Sequence, residues 1–161
     1  MPILTPGDRA PDFTLPDIRG GLRCLADFLS VLPVWLIVVK SSCPTCRMVA
    51  PLAERAYRAS AGVPYSVVLI AQDPPDEARN FAGGLGLTMP VLAEEAPWPV
   101  SRALGLSFVP TFFVIDPGGV ISMSAEGFLR SDWEAAAGKL VKPRGFFLVQ
   151  PGEDIPILRP G

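Results

Sequence analysis

Cys43 and Cys46 stand three residues apart in Cys43-Pro44-Thr45-Cys46, and they are two of only three cysteines in a chain of 161 residues. Two thiols at this spacing fall within one helical turn, close enough to form a disulfide. They suit dithiol–disulfide exchange: one thiolate attacks a foreign disulfide and the other resolves the mixed disulfide that results. The same pair could instead be structural or bind zinc. Zinc needs four ligands, however, and the chain has a single Cys-x-x-Cys and no histidine. The missing histidine also removes imidazole base catalysis and the Cys–His nucleophile pair.

The elements that must position these thiols are legible around them. Val34 to Lys40 (VWLIVVK) is short, apolar and rich in β-branched residues, the pattern of a central strand covered on both faces. It runs into Ser41-Ser42-Cys43-Pro44, and a helix is predicted from about Pro44 to Ser60. On that helix Met48, Leu52, Ala56 and Ala59 form the apolar stripe, and Arg47, Glu54, Arg55 and Arg58 take polar positions. Pro44 suits the first helical position, where its missing N–H goes unneeded. Cys43 then becomes the N-cap and Cys46 the third helical residue. A thiolate at Cys43 would face free N–H groups and the positive helix end, which draw a thiol from about 8.5 towards ~7 or below in such motifs. Cys46, one turn inside, is expected to be more buried and less acidic. Lys40 and Arg47 flank the motif, either to favour the thiolate or as solvated surface charges.

Further along, strands are expected at Phe13–Leu15, Leu22–Leu25, Tyr65–Ala71 and Met89–Leu92, with a helical turn at Ala26–Leu29. A helix begins around Asp73–Glu77 and ends near Gly83-Gly84, and a shorter one spans Val100–Leu104. Thr111–Asp116 and Val120–Ser124 flank Pro117-Gly118-Gly119 as a β-hairpin. A last helix covers Ser131–Val141, with Ser131 and Glu134 as a capping box. Strands alternate with helices and an antiparallel hairpin comes late, which predicts an α/β fold: a mixed sheet with helices on both faces. Residues 1–142 read as one domain opening on an extended lead-in over residues 1–20, and residues 143–161 as a Pro/Gly-rich extension. In that extension, Phe146–Val149 is a candidate edge strand and Ile155–Leu158 a segment that docks on the body, with a dimer contact as the alternative.

From about Gly7 to Leu140 the chain resembles thioredoxin-like proteins of the TlpA/redoxin (AhpC/TSA-related) group. The resemblance rests on Gly7-Asp8-Arg9-Ala10-Pro11-Asp12-Phe13-Thr14-Leu15 against the family opening G-x-x-A-P-x-F-x-L, and on Leu25-Ala26-Asp27-Phe28. It also rests on the Cys-x-x-Cys, Pro51 in the following helix, Val109-Pro110-Thr111 and Asp116-Pro117-Gly118-Gly119. It implies a thioredoxin fold, a thiol–disulfide oxidoreductase with Cys43 and Cys46 as redox pair, and protein disulfides or dithiols as partners. It further implies a cis bond at Val109–Pro110, with these two residues docking the partner's polypeptide. Pro44, Thr45 and Lys40 are the supporting residues, the Pro-Thr dipeptide tuning the potential.

The chain departs from the family in places. Ser42 replaces a common Trp, and Ile37 and Val49 occupy the positions where relatives carry the carboxylate that deprotonates the resolving cysteine. Cys46 is therefore expected to lose its proton to solvent or to a group the sequence does not reveal. A peroxidase of the peroxiredoxin type, using Cys43, is the alternative activity. Its P-x-x-x-T/S-x-x-C pattern would need proline and a hydroxyl where Leu36 and Lys40 stand. A copper-carrying role lacks the histidine of such relatives.

Cys24 reads as a small buried hydrophobe, with a second redox or dimer-forming role as the alternative. Trp98, between two prolines, either borders the active face or packs in the core. No metal and no cofactor are expected, and the chain carries no nucleotide or flavin motif. A net charge of −2 without a Lys/Arg cluster argues against nucleic acid. No apolar stretch reaches the roughly 18 residues of a membrane span. The amino-terminal residues lack a signal-peptide pattern, so a cytoplasmic location is expected, with an exported one open if a leader has been removed.

Overall fold

The computed structural model of the chain describes residues 1–29, 31–60, 67–141 and 145–161. Its centre is a five-stranded sheet built from β3 (Val34–Val39), β4 (Val67–Ala71), β5 (Val91–Ala93), β6 (Thr111–Ile115) and β7 (Ile121–Glu126), in the order β5-β4-β3-β6-β7. The β3/β4 and β4/β5 pairs are parallel; β3/β6 and β6/β7 are antiparallel. Two small ribbons flank it: β1 (Thr14–Pro16) with β2 (Leu22–Cys24), and β8 (Phe128–Leu129) with β9 (Leu158–Arg159). Helices are α1 (Pro44–Ala59), α2 (Pro75–Gly84), α3 (Pro99–Ala103) and α4 (Arg130–Leu140). This is the mixed α/β sheet of the thioredoxin fold that the sequence predicts. Residues 65–66 of the expected fourth strand lie outside the described residues.

All six residues of β3 are buried because the strand divides two cores. Trp35, Ile37 and Val39 face α1, α2 and α4. Val34, Leu36 and Val38 face α3 and the lead-in, where Ala10, Phe13, Leu15 and Phe28 take much of the place a longer helix would fill. Trp35, Phe112, Phe128 and Trp133 meet edge to face or tilted, with ring centroids 5.2–5.7 Å apart. Such pairs add about 0.5–1.5 kcal/mol each beyond area burial. They lock α4 against β3 and β6, the two strands whose ends carry the motifs.

Several local expectations are corrected. The Ser131–Glu134 capping box does not form. The helix starts at Arg130 with Leu129 as a cap that makes no side-chain bond, because β8 runs straight into it. Phe146–Val149 is not a strand. Leu148 and Val149 are buried in the core instead, and the added strand is Leu158–Arg159. Glu54, assigned to the polar face of α1, is only 5% exposed. Its carboxylate accepts the Thr88 and Met89 N–H groups at 2.8 and 3.0 Å, the Thr88 hydroxyl, and Arg58 Nε at 3.0 Å.

Candidate active site

The site begins where β3 ends. Cys43 has extended backbone angles (φ −87°, ψ 118°) and is the N-cap of α1, with Pro44 as the first helical residue. Its sulfur accepts the Cys46 N–H at 3.2 Å, an amide that the start of a helix leaves without a backbone partner. Its thiol also points to the Val109 carbonyl at 3.7 Å. Both cysteines are free, Cys43 half-buried and Cys46 0% exposed. Burial pushes the Cys46 thiol well up, and its contact with Cys43 and the negative charges of Cys43 and Asp73 add to the shift. One sulfur is thus reachable at a helix end, and the other is held neutral one turn inside.

Val109–Pro110 lies against this pair, and the peptide bond between them is cis. Two clamps fix the loop. The Thr111 hydroxyl donates to the Phe108 carbonyl at 2.8 Å, and the Gly127 N–H donates to the Pro110 carbonyl at 2.7 Å. Gly127 sits at φ +71°, a conformation that glycine adopts without strain. Its own carbonyl accepts Trp133 Nε1 at 3.0 Å, which ties the loop to the aromatic core.

Lys40 is half-buried and turned along the strand end. Its ammonium donates to the Gln72 carbonyl at 3.2 Å and lies 4.9 Å from the Trp98 ring centroid. Trp98, half-buried at a left-handed position (φ 54°, ψ 63°), borders a cavity of about 300 Å³ that Phe108 and Val109 also line. It therefore sits on the active face rather than in the core. Arg47 donates to the Ser41 carbonyl at 2.8 Å. Thr45 is buried, and its hydroxyl donates to the Pro160 carbonyl at 2.7 Å. Cys24 lies apart and is half-buried rather than buried, because it ends an edge ribbon and opens the turn Leu25–Asp27.

Two features escaped the sequence reading. Asp73 is only 2% exposed and accepts the Ser41 N–H at 2.9 Å and the Ser41 hydroxyl at 2.7 Å. It is a carboxylate beside the redox helix at neither of the family's usual positions. Its signal was indirect: it follows β4, which runs parallel to β3, so both strands end on the side where sites of α/β sheets gather. The second feature is the far end of the chain, whose residues Pro160 and Gly161 reach Thr45 and Val109. Among the described residues no group of three or more His, Cys, Asp or Glu is placed to hold a metal, and no helix is long and apolar enough to cross a membrane.

Residues 6–124 match the sequence model of the AhpC/TSA family. The chain is 32% identical over 120 residues to the methylamine utilization protein MauD of Methylorubrum extorquens, covering 71% of this chain and 54% of that one. It is 28% identical over 132 residues to the thiol-disulfide oxidoreductase ResA of Geobacillus thermodenitrificans, covering 78% and 72%. Among solved structures, peroxidoxin BcpB from Mycobacterium tuberculosis superposes with a TM-score of 0.74 at 26% identity, over 85% of this chain and 96% of the other. The chain spans between half and three-fifths of the length of the first curated relatives it matches.

Proposed function

The chain belongs to the AhpC/TSA family, and on that premise we propose that it is a thiol–disulfide oxidoreductase acting on protein disulfides, with Cys43 attacking and Cys46 resolving. The observation that carries this reading is the asymmetry of the two sulfurs. Cys43 is reachable and receives a free helix-end N–H, while Cys46 is fully buried directly behind it.

In the reductive direction, the Cys43 thiolate attacks one sulfur of the partner disulfide. The partner's S–S bond breaks, a Cys43–partner bond forms, and one partner thiolate leaves and takes a proton. Cys46 then gives up its proton and attacks the Cys43 sulfur, expelling the second partner thiolate and closing a Cys43–Cys46 bridge. Counted from the dithiol, with the proton Cys43 released on ionising and the one from Cys46 ending on the two partner thiolates, the chain loses two electrons and two protons and the partner gains them. Oxidation runs the same steps backwards. In this reading the backbone of Val109 and Pro110 docks the partner's polypeptide. Pro44 sets the start of α1, Thr45 tunes the pair, and Lys40 holds the strand end through Gln72 and Trp98. Residues 1–142 carry the chemistry and residues 143–161 form an extension.

The name of the ResA relative supports exchange. The peroxidoxin neighbour keeps peroxidase as the alternative, but Lys40 stands where that chemistry would need a hydroxyl to position peroxide.

The test is the reduction potential of the pair, read by equilibrating the protein in graded dithiol buffers, alkylating and weighing it. A two-electron transition near about −270 mV marks a reductant suited to a reducing cytosol, and one above roughly −180 mV marks an oxidant or isomerase of an oxidising compartment. The cytoplasmic location expected from the sequence gains no support from the relatives, and this potential decides what is proposed for it. If no bridge forms at any potential, the exchange reading is wrong.

A further inference from the structure

The last residues of the chain lie across the surface assigned above to the partner. β9 pairs antiparallel with β8, Phe128 opposite Arg159 and Leu129 opposite Leu158, and the Arg130 N–H donates to the Ile157 carbonyl at 2.8 Å. The segment then runs on so that Pro160 takes the Thr45 hydroxyl, between the two cysteines, and Gly161 abuts the Val109 carbonyl. That is the same carbonyl to which the Cys43 thiol points. A Cβ on residue 161 would fall on this oxygen and crowd the Phe108 ring, so a side chain there forces the segment or the loop to shift.

We propose that Ile157–Gly161 is an intramolecular occupant of the polypeptide-docking surface. A partner must displace it, entering as an extended strand along the Phe128–Leu129 edge with a small residue over Val109. This rests on the reading of Val109 and Pro110 as docking residues.

The anchoring of the segment fits a releasable strap. Its base is firm: Leu148 and Val149 are buried, and Arg55 grips both the Leu148 carbonyl and the Glu153 carboxylate. Its end is light: the ladder is two residues long, and Ile157 and Leu158 are 71% and 67% exposed. Little apolar surface is lost on lifting it, and a partner strand would replace the lost hydrogen bonds by adding to the same edge. An occupant seated most of the time lowers apparent partner affinity by the fraction of time the surface is free.

The test uses the full chain carrying Gly161→Val or Leu158→Pro, substitutions at exposed positions outside the core that leave both cysteines in place. Each is measured for binding of S-alkylated insulin B chain, an extended polypeptide without redox chemistry. Each is also measured for reaction of reduced Cys43 with insulin and with glutathione disulfide. A strap free only about one-fifth of the time predicts about fivefold tighter peptide binding and about fivefold faster reaction with insulin in both variants. Reaction with the small glutathione disulfide should change less than about twofold. Unchanged peptide affinity, with faster hydrogen exchange of the Arg130 amide proving the segment lifted, overturns the proposal. Tighter peptide binding with no disulfide exchange in any chain upholds the occupant and overturns the oxidoreductase reading instead.

Discussion

Replacing Glu153 by Gln removes the charge from one half of the clamp that holds the extension to α1. The Glu153 carboxylate accepts Arg55 Nη2 at 2.6 Å, Arg55 Nη1 at 2.7 Å and the Gln150 N–H at 2.5 Å. The Arg55 guanidinium, helped by the Gln150 amide, holds the Glu153 carboxyl down to about 2. Against an unfolded value of ~4.3 this corresponds to at most ~3 kcal/mol of stability at neutral pH. Both side chains remain more than a quarter exposed, at 29% and 28%. Solvent screening therefore reduces the expected loss to ~1–2 kcal/mol. For a chain of this size that is a fall of ~2–8 °C in midpoint temperature. A depressed carboxyl contributes stability above its unfolded value and loses it as pH falls through its folded value. The gap between parent and Glu153→Gln, followed by calorimetry, is therefore expected in full at pH 7 and closed by about pH 2. A gap that is absent at pH 7, or that persists unchanged to the lowest pH at which both proteins fold, would refute the charged clamp.

Two further outcomes are expected. Glu54→Gln should cost ~2–4 kcal/mol in urea unfolding at pH 7, because it weakens bonds to the Thr88 and Met89 amides inside the protein and to the exposed Arg58 guanidinium. Burial alone would push the Glu54 carboxyl up, but those bonds outweigh it and hold the group below its usual value. The difference should therefore shrink as pH falls through the carboxylate range, and a pH-independent cost would show that shape rather than charge matters there. The second concerns resolution. Burial holds the Cys46 thiol neutral, so breakdown of a Cys43–partner mixed disulfide should quicken about tenfold per pH unit between roughly pH 7 and 9. A flat profile in rapid-quench mass spectrometry would mean that a neighbouring base, with Asp73 first in line, takes the proton.

The sequence by itself determined the local parts of the protein. Uninterrupted apolar residues from Val34 to Val39 require a strand covered on both faces. Proline at the first helical position makes Cys43 the cap and Cys46 the residue one turn in, since capping depends only on neighbours along the chain. The Pro117-Gly118-Gly119 turn announced its hairpin in the same way. Tertiary structure decided what depends on distant partners. Glu54 reads as a surface residue until the Thr88–Met89 amides arrive opposite it. Ser131 reads as a cap until β8 runs directly into α4. Asp73 reads as a loop acid until the parallel pairing of β3 and β4 sets it on Ser41. The end of the chain carries no chemical motif of its own. Its position over Thr45 and Val109 depends on a two-residue ladder to β8 and on the Arg55–Glu153 clamp, contacts between residues about thirty to a hundred apart that no local pattern encodes.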